Sequence, residues 1–192
     1  MNMKIQIKPQ TCVLWVLMLF LLPIQWLSAC LIAAGFHEFS HILAVKICGG
    51  RIIKLEIGTD CAGLQTEILE NGEAIFCTLA GPAGGLLLTM TGRWFPRLAL
   101  CALVHSIYNL LPILPLDGGR VLRLVLERWV PQHTADRFSH WIGIGTFGMI
   151  LLFGIICWIQ GLGLLPFVLG ILLLHRIGLR KIPCKQGLLR VQ

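Results

Sequence analysis

No charged side chain lies between Lys8 and Glu38, and from Thr11 to Cys48 apolar residues run on without the wide polar face of a surface helix. As helix this run of 38 residues would extend roughly 57 Å, about twice the ~30 Å thickness of a hydrocarbon core. It is therefore expected to cross a bilayer twice, with Pro23, Gln25 and Trp26 at the turn, because proline ends the first helix and an indole prefers the headgroup level. Four more apolar segments follow, near 74 to 90, 98 to 114, 141 to 159 and 162 to 177, divided by charged or Gly/Pro-containing stretches. The expected fold is an all-α membrane protein, a polytopic helical bundle of about six transmembrane helices. Between the second and third spans the pattern changes. Ile53, Leu55 and Ile57 alternate with Lys54 and Glu56, and GTDCAG offers a turn before a second short run. That reads as a small β-hairpin in the loop after the second helix, with an ordinary cytosolic connection as the alternative.

Composition agrees: 192 residues are 56% hydrophobic and the mean hydropathy is +0.81, too apolar for a water-facing shell. Of the 16 Lys and Arg, an inside N-terminus leaves only Arg93 and Arg97 outside, and that bias puts both termini in the cytosol. The net charge of +7 then reads as topology and attraction to the lipid bilayer, not as a nucleic-acid surface, which would need a basic face on a soluble module. The 8 cysteines show no C-x-x-C spacing and read as packing residues. A competing reading takes LSAC at Cys30 as the end of a lipoprotein signal. The chain after it opens on apolar LIAAGF, where a lipoprotein normally has a polar tether.

Of the 9 acidic residues, only Glu38 and Asp117 fall in or at the edge of expected spans, where an ionisable group is costly and defaults to function. His37 and His41, four apart on a helix, project from one face and can grip one metal ion, with Glu38 as neighbour. In such an H-E-x-x-H motif the glutamate takes a proton from the attacking water and passes it to the leaving amine. Two histidines hydrogen-bonded within a bundle would be the structural alternative. Further on, NLLPILPLDGGR starts at Asn109; Pro112 and Pro115 forbid a continuous helix, and Gly118 and Gly119 permit a tight turn. Asp117 can then return toward the interior on an extended re-entrant segment as a third ligand. Three protein ligands with an open position describe a catalytic zinc site.

With HEFSH at 37 to 41, AGPAGG at 80 to 85 and N-x-x-P-x-x-P-x-D-G from Asn109 to Gly118, the chain resembles the site-2 proteases, intramembrane zinc metalloproteases that include the stage IV sporulation protein FB group. The resemblance covers roughly residues 1 to 130. It implies that His37, His41 and Asp117 bind Zn2+, that Glu38 is the general base, and that the second to fourth helices form a three-helix catalytic core. Residues 1–130 would be the catalytic core, and 131–192 accessory helices with a basic cytosolic tail in a bacterial cell membrane. Many relatives have asparagine at the end of G-P-x-x-N, where this chain has Gly85. Asn109 remains as a catalytic hydrogen-bond donor to the oxyanion. His105, one turn earlier, reads as a core histidine with oxyanion donor as the alternative. The expected substrate is a single-span membrane protein, unwound and held at a strand edge, with a regulatory membrane protein as a possible further partner. The rival function is a non-proteolytic zinc-binding transporter or chaperone-like relative.

Overall fold

The computed structural model describes residues 4–7, 23–50, 52–57, 62–66 and 71–161. The expected first and sixth spans, the turn of the proposed hairpin and the basic tail lie outside these residues. The described chain is mostly helical and falls into two compact units, one ending at Leu110 and one beginning at Leu111.

In the first unit, β1 (Lys4–Ile7) runs parallel to β2 (Ile52–Ile57), which pairs antiparallel with β3 (Ala62–Thr66). Three helices make up the rest: α1 (Ile24–Ile47), α2 (Asn71–Leu88), continued by a 3₁₀ turn at Thr89–Arg93, and α3 (Pro96–Leu110). Each packs against the other two. The usual soluble pattern is inverted. His37 and Ser106 are 2% and 0% exposed, whereas Ile32, Phe39, Leu87 and Ile107 are each more than half exposed, as befits helices whose outer surroundings are hydrocarbon. Small residues let the helices approach: Ala33, Ala44, Ala74, Gly81, Gly84, Gly85, Ala99 and Ala102 are all buried.

In the second unit a turn-rich segment leads into α4 (Asp117–Leu126), which packs on α5 (Gln132–Ile159). The sequence reading puts the fifth span at 141 and a polar connector before it; the helix instead starts at Gln132. Pro131, with φ −55° fixed by its ring, stands at the N-cap, and Arg123 pairs with both Glu127 and Asp136 at 2.9 and 2.8 Å. Among the described residues, three helices are long and apolar enough to cross a membrane: Ile24–Ile47, Asn71–Arg93 including the 3₁₀ turn, and Gln132–Ile159. The helix at the expected fourth span, α3, has 15 residues, about 22 Å of rise. It stops just before Pro112, which has no amide hydrogen to continue the ladder.

Candidate metal centre

His37 and His41 sit on consecutive turns of α1, so the helix brings their rings to one side. Their Nε2 atoms face each other at 3.2 Å, with the ring planes at 85°. The Nδ1 of His41 lies 2.7 Å from the carbonyl oxygen of Cys77 on α2. A carbonyl only accepts, so Nδ1 carries the proton and the lone pair of His41 is left on Nε2, toward His37. That is the tautomer a metal ligand needs.

Gly81 forms the wall beneath the pair. A Cβ there would lie 2.8 Å from His37 Nε2 and closer still to the His41 ring. Only a hydrogen leaves both nitrogens their space. The other glycines of AGPAGG serve helix approach. Gly84 faces the Ser40 side chain of α1, and Gly85 faces Ser106 Oγ of α3. Glu38 follows His37 on the helix and is half-buried.

Two readings gain detail. Asn109 directs Nδ2 to the His105 carbonyl at 3.0 Å, which uses one of its two amide hydrogens and leaves the other. His105 packs its ring edge-to-face on His37, with centroids 4.8 Å apart and planes at 87°. Sequence reasoning missed the Cys77 carbonyl, since a backbone acceptor leaves no signature, and the space left by Gly81, which acts by having no side chain.

Asp117 belongs to the second unit. The sequence reading carries it on an extended segment; here it is the first residue of α4, and it is 6% exposed. A carboxylate is favoured at that end by the unsatisfied amides of the first turn. Leu116 before it is extended, with φ −65° and ψ 162°. Gly119 has a steric reason to be glycine. A Cβ there would meet the backbone of Ile113 and Leu114 at 2.5 to 2.7 Å, so the helix start can lie on the preceding turn only without a side chain. Arg120 Nη1 is 3.9 Å from Asp117 Oδ1.

Two imidazole nitrogens suit a borderline cation such as zinc. The first unit meets the requirements of a ligand pair, with a fixed tautomer, convergent nitrogens and a bare wall.

Comparisons with known proteins bear on this three-helix unit and its H-E-x-x-H helix. Residues 88–154 match the family model Peptidase family M50. The chain is 28% identical over 142 residues to Zinc metalloprotease MJ0392 of Methanocaldococcus jannaschii, covering 65% of this chain and 41% of that protein. It is 29% identical over 153 residues to Putative zinc metalloprotease Rip3 of Mycobacterium tuberculosis, covering 70% of this chain and 37% of that protein. The chain thus spans about two fifths of the length of these relatives. A solved structure, the site-2 protease from Methanocaldococcus jannaschii, has the same fold, with a TM-score of 0.69 at 18% identity, covering 100% of this chain and 95% of that one. Residues 88–154 are thus similar to peptidase family M50, and the matched relatives carry the name of zinc metalloproteases.

Proposed function

We propose that this protein is an intramembrane zinc endopeptidase that hydrolyses a peptide bond in or near a transmembrane segment of a membrane protein. The observation that carries the reading is the imidazole pair: two Nε2 atoms 3.2 Å apart, one ring locked by a backbone carbonyl, over a glycine that no other residue could replace without moving them. In this reading His37, His41 and Asp117 are the ligands, and three protein ligands leave a coordination position for water or substrate. Zinc, when bound, supplies a Lewis acid that polarises the scissile carbonyl and makes water a better nucleophile at neutral pH.

The chain's own residues do the remaining work. Glu38 accepts the proton of the attacking water and delivers it to the amine nitrogen as the C–N bond breaks. The second amide hydrogen of Asn109 is available to the developing oxyanion. Buried polar groups among apolar helices give hydrolysis a wet pocket at a depth where water is otherwise scarce. An extended substrate would add to the edge of the sheet at β3, one of the two outer strands in the order β1-β2-β3, since a helical amide is shielded by its own hydrogen bonds. This assigns the loop after α1 as a β-hairpin with a substrate-holding role.

The wider assignment is a multi-pass bacterial cell membrane protein with about six spans and both termini cytosolic. Residues 1–130 act as the catalytic core and 131–192 as an accessory part. The substrate is a single-span membrane protein, and a regulatory membrane protein controls access. The test replaces one side chain. Glu38→Gln keeps the size of the residue but not its basicity. Cleavage of a single-span substrate should fall at least ~100-fold, the usual contribution of a general base, while zinc content measured by elemental analysis stays near that of the unmodified protein. Undiminished cleavage by Glu38→Gln would reject the mechanism, and a protein that binds zinc but never hydrolyses would favour the transporter or chaperone reading.

A further inference from the structure

His105 is neither in the H-E-x-x-H motif nor in the N-x-x-P-x-x-P-x-D-G motif, and as a sequence position it reads as a core histidine. Its place in the fold is more specific. The ring of His37 is met edge-to-face from two sides, by His41 at 4.8 Å and 85° and by His105 at 4.8 Å and 87°. His41 is itself anchored through Nδ1 to the Cys77 carbonyl. An imidazole on a helix has two free torsions, and a ligand that must first be oriented binds a metal more weakly than one already held.

The approach of His105 is built into α3. Ser106, the next residue, is 0% exposed, and its Oγ occupies the volume that a Cβ on Gly85 would need. Ala102, one turn before Ser106, is 1% exposed. At the other end, the Asn109 amide holds the His105 carbonyl at 3.0 Å. Glycine at 85 therefore lets α3 come in against α2 until the ring of His105 reaches that of His37.

We propose that His105 is a positioning residue for His37, orienting that imidazole for metal binding through the edge-to-face contact of the two rings. The proposal rests on the metal-centre reading above and adds a residue that acts on the metal only through His37. Edge-to-face packing depends on the ring and not on a titrating nitrogen. Phenylalanine at 105 should therefore serve where alanine does not.

The test uses the full chain purified in detergent, with cobalt(II) and zinc(II) as probes competed against a chromophoric chelator. His105→Ala should weaken both metals about 10- to 100-fold, the usual effect of losing a partner that orients a ligand, and should broaden or shift the visible bands of bound cobalt. His105→Phe should recover most of that loss. Thermal unfolding of the metal-free variants separates a positioning effect from a collapse of the bundle, because positioning predicts little change in midpoint. The proposal is overturned if His105→Ala binds cobalt within twofold of the unmodified chain, or if His105→Phe is no better than His105→Ala. His37→Ala distinguishes the two levels. Loss of cobalt binding in His37→Ala beside intact binding in His105→Ala defeats the positioning role alone, whereas intact binding in His37→Ala defeats the metal centre itself.

Discussion

At the scale of single residues, Gly81 offers the sharpest separation between folding and metal binding. Alanine is the better helix former by up to ~1 kcal/mol, so on propensity alone Gly81→Ala should stabilise α2. The space says otherwise, since the new methyl would sit against both imidazole nitrogens, 2.8 Å from that of His37. The rings must rotate away from each other to admit it. Gly81→Ala is expected to keep its helix content by circular dichroism while zinc occupancy drops at least ~10-fold, the range seen when a ligand loses its orientation. Normal occupancy would mean that the rings do not need the bare wall. The histidine pair itself was legible in the sequence, because a spacing of four fixes a shared face on any helix. The Cys77 carbonyl and Gly81 were not, because one is a backbone atom and the other acts by having no side chain.

Between elements, one pair limits how closely α2 and α3 approach. A Cβ at Gly85 would overlap Ser106 Oγ, whereas the Ser106 Cβ lies at an ordinary 3.5 Å. Gly85→Ala alone should then cost about 1–3 kcal/mol, the usual range for overpacking a tight interface. Ser106→Ala in the same chain removes the one colliding atom and should return most of that loss. The two changes are in contact, so a double-mutant cycle should show strong coupling. Simple additivity in denaturation midpoints would show that the interface has room to adjust. Sequence patterning placed the cores of α1, α2 and α3 because long apolar runs need no partner to be recognised. It missed the start of α4, where Pro112, Pro115, Gly118 and Gly119 read as breakers. The prolines do end α3, but both glycines fall in the first turn of a new helix, and Gly119 is there for close backbone approach. It also placed the start of α5 late, because Asp136, Arg137 and His140 resemble a loop until Arg123 is seen to draw Asp136 in.

For the whole molecule, the described residues supply a physical handle on its orientation in the membrane. At the N-terminal ends of α1 and α3, Arg97 hydrogen-bonds Gln25 and lies 6.0 Å from the Trp26 ring centroid. Trp94 and Phe95, in the turn before α3, are 71% and 61% exposed. An indole paired with a cation, beside further exposed rings, is the composition of a headgroup layer. This end of the first unit should therefore meet one membrane surface, and Arg93 and Arg97 are the basic residues it carries. In the other unit Arg128 lies between α4 and α5 and Arg137 near the start of α5, both among the majority that the positive-inside bias assigns to the cytosol. An epitope inserted after Arg93 should be reached by antibody in intact spheroplasts, and one inserted after Trp129 only once the membrane is permeabilised. Both insertions fall in turns, where added residues disturb packing least. Labelling of the Trp129 insertion in intact cells, with protection of the Arg93 insertion, would reverse the orientation. The substrate's cytosolic flank would then be on the wrong side of the bilayer to add to β3. Because the sheet and the tag after Trp129 are both assigned to the cytosol, the one experiment tests the topology and the proposed route of the substrate together.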